Sequence, residues 1–387
     1  MRIAYVCADR GVPVFGRKGS SVHVQEVVRA LVRQGHEVEV FASRTDGEAP
    51  SGFENVAVHK LPKIPKGDPS VRERASYDAN RKLYAMLDSE GPFDAIYERY
   101  SLWSFAGMEY AADEDLPGLL EVNSPLIEEQ ALHRELVDRV GAVRVAEHAF
   151  GKATALLPVS NEVAEYLRGW PMARGRIHTT PNGVDTGRFP EDLAPSLPSE
   201  AFTVGFIGTL KPWHGLPALV EAFEVLHKED PNVRLLIVGD GPGREEMEKS
   251  LAESGLSDAS HFTGAVGPEE VPGLLASMDA AVAPYPMQSQ FYFSPLKVYE
   301  YMAAGLPVVA SRIGQLDGLI SDGEDGILIS PGSPLAIADA LGRLRQDASL
   351  GARLGKNARK TVMESHTWDA VAERIMSLAG DAVEARV

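Results

Sequence analysis

The chain has 387 residues, of which 44% are hydrophobic and 24% charged, and a formal net charge of -17. That is enough chain for two globular domains with ordinary cores. The acidic balance excludes a general nucleic-acid binder, because phosphate backbones are held by clustered Lys and Arg.

In chain order, Ile3 to Ala8 reads as a fully buried strand that contains the single cysteine, Cys7. A small buried residue is the expected role of that thiol, and no intrachain disulfide can form. The first residues lack the basic-then-apolar layout of a signal peptide, and no apolar run approaches about 20 residues, so the expected compartment is the cytoplasm. A glycine-bearing loop, Gly16-Arg17-Lys18-Gly19-Ser20-Ser21, follows the strand, with Ser21 placed to cap the next helix. Val24, Val27, Val28, Leu31 and Val32 share one face of that helix, and Gly35 closes it. His36 to Ala42 alternates into a second strand, and strand, loop, helix, strand is the unit of a parallel sheet with right-handed crossovers.

Short apolar runs continue at Val56–Val58, Ala95–Tyr97, Leu119–Val122 and Ala155–Val159, so the first half is expected to be doubly wound. Lys60 to Lys82 carries seven basic residues against three acids. Such a patch can meet anionic lipid at the inner face of a membrane or an anionic acceptor; a solvated mobile loop is the preferred reading. Tyr97-Glu98-Arg99-Tyr100 and Leu120-Glu121-Val122-Asn123 run off strand ends, the usual place for reactive groups in such sheets. Turn signals gather at Thr180–Asp185, and Pro190 to Ser199 is rich in Pro, Ser and acids, so the domain boundary is expected there, dividing residues 1–185 from 186–367.

The pattern restarts at Phe202–Gly208, followed by a helix near Leu216–Lys228 and a strand at Val233–Val238. Further strands are expected at His261–Thr263, Ala280–Ala283, Val308–Ala310 and Gly326–Ile329, with a helical tail, 368–387, packed back on the first domain. Gly239-Asp240-Gly241-Pro242-Gly243 follows a strand, but its spacing lacks the third glycine of a dinucleotide fingerprint and Pro242 removes an N–H. The ten histidines and one cysteine form no zinc spacing.

Phe293 to Pro307 is the most informative stretch. Ser294 suits an N-cap and Pro295 the first helical position, an arrangement that points free N–H groups at an anion. Glu300, further along the helix, can accept hydrogen bonds from two vicinal hydroxyls. On these residues the chain resembles the retaining GT-B glycosyltransferases of family 4, which use nucleotide diphosphate sugars. The resemblance implies an α/β fold of two facing Rossmann-like, doubly wound domains with an interdomain cleft, and a metal-independent, cofactor-free enzyme. The family helix carries two glutamates; Glu300 matches the second, which holds the ribose, whereas Tyr292 stands in place of the first.

The resemblance extends the donor site over Tyr292, Phe293, Ser294, Pro295, Leu296, Lys297 and Glu300, and over Gly19 and Ser20 in the first glycine loop. It also covers Gly208, Thr209, Lys211 and His214 after the first strand of the second half. Thr209 and His214 occupy positions where the family has arginine and lysine, so Lys211 and Lys297 are expected to neutralise the leaving diphosphate. Asn123 is the expected polar contact to the reacting sugar or acceptor, and the exposed-helix reading is preferred for His133. A retaining transferase moving sugar from a UDP-sugar to a hydroxyl of a glycan, lipid or metabolite follows, with GDP and ADP donors open. A nucleotide-sugar epimerase and a non-catalytic nucleotide-sugar binder are the alternatives.

Overall fold

The computed structural model describes residues 1–288 and 291–384. The chain forms two compact units: Met1–Asn182 with Tyr292–Ser294 and the C-terminal helix, and Gly183–Phe291 with Pro295–Thr367. The final three positions of the expected tail helix lie outside the described residues; the described helix is Trp368–Glu384.

The first unit holds strands β1 (Arg2–Cys7), β2 (Glu37–Ala42), β3 (Ala57–Lys60), β4 (Ala95–Arg99), β5 (Gly118–Val122) and β6 (Ala155–Pro158). They form one parallel six-stranded sheet in the order β3-β2-β1-β4-β5-β6. The second unit holds β7 (Phe202–Ile207), β8 (Val233–Val238), β9 (Ser260–Gly264), β10 (Ala280–Ala283), β11 (Val308–Ser311) and β12 (Ile327–Ile329). Their order, β12-β11-β10-β7-β8-β9, is the same arrangement used a second time.

Helices on both faces explain why the inner strands are near-continuous apolar runs: every residue of β4, β5 and β10 is buried. Each unit packs its own core, one around Val6, Ile96, Leu120 and Phe150, the other around Phe206, Leu219, Ile237 and Val282. The chain order of strands reverses between β1 and β4 and again between β7 and β10. At such switch points the loops beyond the carboxyl ends diverge and leave a crevice, so each sheet has one predetermined place for a ligand.

Three local expectations are corrected. Ser21 is not the cap of the first helix, Gly19–Arg33; Lys18 is its N-cap without a side-chain bond, and Ser21 Oγ is enclosed in the first turn with no hydrogen-bond partner. The helix of the donor stretch starts at Leu296 rather than Pro295, with Pro295 as the N-cap and again no side-chain cap bond. The basic stretch after Lys60 is not a mobile loop throughout. Asp68 caps a helix, Pro69–Asp78, by accepting from the Ser70 and Val71 amides, and a second helix, Asn80–Glu90, follows. Among the described residues no helix is long and apolar enough to cross a membrane.

Candidate active site

In the second unit the switch point between β7 and β10 is flanked by the loop after β7, the loop after β10 and the helix Leu296–Ala303. Tyr301, buried on that helix, accepts a 2.8 Å hydrogen bond from the Ile207 amide through its hydroxyl oxygen, which pins the helix to the end of β7. Lys297 therefore faces Gly208: a side-chain carbon on that glycine would lie 2.9 Å from Lys297 Nζ. The ammonium position is 3.9 Å from the centroid of the buried Phe206 ring and 5.7 Å from that of Tyr285. Nζ is enclosed and has no hydrogen-bond partner among the described residues.

Burial pushes the Lys297 amine down to about 7, with the Glu300 carboxylate opposing the shift. An aromatic face attracts a cation but accepts no full set of hydrogen bonds, so this amine is short of partners that an anion would supply. Glu300 is partly buried, and its Oε1 accepts from Arg188 Nη1 at 3.0 Å. Burial raises the Glu300 pKa, and Arg188 and then Lys297 act against the rise. Arg188 itself is fixed by a 2.7 Å bond from Nη2 to the Pro268 carbonyl.

His214 closes the loop after β7. Its Nδ1 lies 2.6 Å from the Thr209 carbonyl, which can only accept, so Nδ1 carries the proton and Nε2 is the free lone pair. Burial, then Lys297, lowers its pKa to about 3, so the imidazole is neutral and supplies no positive charge here. Thr209 is exposed and enters the loop through its backbone. Gly215 follows at φ 72°, and a side-chain carbon there would overlap the Pro284 carbonyl; only glycine lets the loops after β7 and β10 meet. Lys211 is half-buried, 5.6 Å from the Trp213 ring centroid.

The remaining donor-stretch residues divide. Pro295 and Leu296 open the helix in the second unit, whereas Tyr292, Phe293 and Ser294 belong to the first. Tyr292 donates through its hydroxyl to Glu129 Oε2 at 3.3 Å, and its carbonyl accepts from Ser160. Ser294 accepts from the Asn182 amide at Oγ and from Asn182 Nδ2 at its carbonyl. Gly19 is exposed at the start of the first helix and Ser20 half-buried beside it; Gln25 Nε2 ties the preceding loop by donating to the Val14 and Gly16 carbonyls.

The first unit has a polar centre of its own on β5. Glu121, 2% exposed, is the register partner of Arg99 on β4. Its Oε1 accepts from Arg99 Nη1 at 2.7 Å and from Asn123 Nδ2. Its Oε2 accepts from the Tyr97 hydroxyl at 2.5 Å and lies 2.7 Å from His23 Nε2. Burial alone would raise this carboxyl; His23, Arg99 and Tyr97 together hold it well below the usual carboxylate range. Asn123 is thereby oriented at the carboxyl end of β5. His133 ends the helix Leu126–His133 and is exposed.

Glu39, His59 and Glu90 are the only group of three or more potential metal-ligating side chains that come together among the described residues. The Arg2 guanidinium pairs with Glu39, and His59 lies 2.8 Å from Glu39 and 3.8 Å from Glu90, so both carboxylates already have partners within the cluster. Sequence reasoning missed Arg188, which lies between the turn signals of Thr180–Asp185 and the connection of Pro190–Ser199, and it missed Glu121 as a hub. The available signal for Glu121 was a lone carboxylate inside an otherwise apolar strand.

Residues 17–188 match the family described as Glycosyltransferase Family 4, and residues 201–347 match that described as Glycosyl transferases group 1. The chain is 27% identical to a D-inositol 3-phosphate glycosyltransferase of Xylanimonas cellulosilytica, covering 95% of this chain and 93% of the relative. It is also 27% identical to an MMP alpha-(1->4)-mannosyltransferase of Mycolicibacterium hassiacum, over 94% of this chain and 95% of the other. The fold is similar to that of sucrose-phosphate synthase from Thermosynechococcus elongatus, with TM-score 0.78 and 22% identity over 99% of both chains. It is likewise similar to Anabaena HepE in complex with UDP-glucose, with TM-score 0.73 and 19% identity over 98% of this chain and all of that one.

Proposed function

The chain belongs to the family 4, group 1 glycosyltransferases of GT-B fold, and from that premise we propose that its second unit binds a nucleotide diphosphate sugar, with UDP the nucleotide. The observation that carries the reading is Lys297 Nζ, enclosed at the β7/β10 switch point with no partner of its own. In the proposed mechanism the donor diphosphate takes up that vacancy in hydrogen bonding, and the amine is protonated as the dianion arrives. Fixed positive charge in a site with little water stabilises the leaving diphosphate more than it stabilises the bound substrate, which is the requirement for acceleration. Lys211 adds a second, more exposed cation.

Glu300 is assigned to the ribose hydroxyls. Its Oε1 is held by Arg188, which opposes the rise in its pKa that burial causes and leaves acceptor capacity on Oε2. His214, neutral and with Nε2 as a lone pair, accepts a hydrogen bond from a donor hydroxyl rather than countering phosphate charge. The first unit presents the acceptor, with Asn123, aimed by Glu121, as the polar contact near the reacting hydroxyl. Retention of configuration follows from family membership; departure of the diphosphate and attack on the same face by the acceptor hydroxyl, whose proton passes to the leaving phosphate, is the route that these residues accommodate.

The test is release of UDP from UDP-glucose and related donors in the presence of a panel of hydroxyl acceptors, with the anomeric configuration of the product read by NMR. The reading requires an acceptor-dependent product that keeps the donor's anomeric configuration. Turnover with GDP- or ADP-sugars alone would refute the UDP assignment, and an inverted product would refute the same-face route.

A further inference from the structure

We propose that the exposed face formed by the helix Pro69–Asp78 and residues 132–144 docks the first unit peripherally on an anionic lipid surface. The inference does not rest on the transferase reading. Of the ten large apolar side chains exposed among the described residues, five lie on these two segments: Val71, Tyr77, Leu132, Val137 and Val140, each between 42% and 73% exposed. The segments meet at Glu73, which is buried and accepts from the Val137 and Asp138 amides at 2.9 and 2.8 Å. At about 100° per residue, Val71, Arg74 and Tyr77 fall within one arc of about 120° on the helix, so apolar and cationic tips alternate on its outer side.

The charge of this face opposes that of the molecule. Residues 63–82 and 132–144 carry nine Lys and Arg against five Asp and Glu, in a chain whose overall balance is -17. Among the described residues only Arg74 and Arg139 of the nine form ion pairs, with Asp78 and Glu128. Of the five acids, Glu73 is buried, Asp68 and Asp138 cap the helices that follow them, Asp78 pairs with Arg74, and Glu135 is exposed. A groove between the two segments is lined by Arg74, Tyr77, Arg81, Val137 and Arg144. Glu109 and Asp113 reach the same groove, where they meet His148 and Lys152. The local excess is therefore net positive after its neighbours are counted.

Both properties together select the occupant. A polyanion in solution would engage the arginines and lysines but leave the valine and leucine tips in water, whereas a lipid interface takes both: the tips enter the acyl boundary while the guanidinium groups stay at the headgroups. A protein partner needs a contiguous apolar centre, and here the apolar tips are separated by arginines. Because an anionic bilayer repels the molecule as a whole, the local positive excess also fixes which side approaches it. The mode is peripheral, in keeping with the absence of a membrane-crossing helix among the described residues.

The full chain is sedimented with vesicles of phosphatidylcholine alone and of a phosphatidylcholine–phosphatidylglycerol mixture, and its affinity for soluble polyglutamate is measured in parallel. Binding to the mixed vesicles is expected to exceed binding to phosphatidylcholine at least tenfold. It should fall at least tenfold between about 0.1 M and about 1 M NaCl, where the screening length shrinks from about 10 Å to about 3 Å. The charge variant Arg81→Glu with Lys82→Glu should lose at least tenfold in vesicle binding. The apolar variant Val137→Ser with Val140→Ser should lose at least threefold, and both should keep the wild-type melting temperature because all four side chains are exposed. The second variant keeps the test decisive should the first fold poorly. No binding to the mixed vesicles, equal binding to phosphatidylcholine, or undiminished binding in a folded variant would overturn the docking face. Polyglutamate bound as tightly as the mixed vesicles would also overturn it, in favour of a surface for acidic chains.

Discussion

Replacing Lys297 by Met separates what this residue costs the fold from what it contributes to binding. Its amine is lowered from 10.5 to about 7 by burial. At about 1.4 kcal/mol per pH unit, the displacement corresponds to an upper limit of roughly 5 kcal/mol of lost stability at low pH. The unfolded chain binds the proton up to its pKa of 10.5, while the folded chain releases it near 7, so stability rises with pH across that window. It is lost as pH falls through the folded value. Methionine fills the same space over Phe206 and Tyr285 without charge.

Lys297→Met should therefore be more stable near neutral pH, by about 1–3 kcal/mol once relaxation around the amine is allowed for. The same linkage fixes the binding behaviour. Above about pH 7 the free amine is neutral, and a bound diphosphate must bring it a proton, so wild-type UDP affinity should fall by up to about tenfold per pH unit between pH 7.5 and 9.5. Titration calorimetry in buffers of different ionisation enthalpy reads the uptake directly, with close to one proton per UDP at pH 8.5. Identical enthalpies in all buffers, or the same pH slope in Lys297→Met, would refute the reasoning.

Glu300→Ala removes the partner of Arg188 and the acceptor for the ribose; UDP affinity should drop about 10- to 100-fold, as expected for hydrogen bonds to a charged group, read by the same titration. Glu121→Gln should destabilise the chain by about 3–5 kcal/mol in urea unfolding, because Arg99 is left buried without its counter-charge. Wild-type stability supplied by Glu121 is present above the unfolded carboxylate value near pH 4 and is lost as pH falls toward the depressed folded value, so the gap between wild type and variant should shrink in acid. Gly215→Ala places a carbon on the Pro284 carbonyl at a positive φ, and should cost more than about 2 kcal/mol by thermal unfolding while also weakening UDP binding.

The parallel sheets were legible because strands buried on both faces leave continuous apolar runs such as Leu235–Val238 and Ala280–Ala283, separated by helix-period segments. Helix starts were less legible. Ser294 and Ser21 are good capping types, yet Ser294 Oγ meets the Asn182 amide and Ser21 is enclosed, because tertiary contacts outweigh a cap's contribution of about 1 kcal/mol. Lys297 and Glu300 could be singled out because they share one helix with a fixed spacing. Their partners could not: Arg188 is separated from Glu300 by 112 positions, and His23 from Glu121 by 98. Those pairings depend on which loop ends a parallel sheet brings together, and chain order alone does not display them.

The central claim is that the second unit is a nucleotide diphosphate site organised by Lys297 and Glu300. The most direct measurement is calorimetric titration of wild type, Lys297→Met and Glu300→Ala with UDP at pH 7.0. The account predicts saturable one-to-one binding to wild type, weakened at least tenfold in each variant whose melting temperature shows it folded. Absence of binding to wild type, or undiminished affinity in both variants, would contradict it.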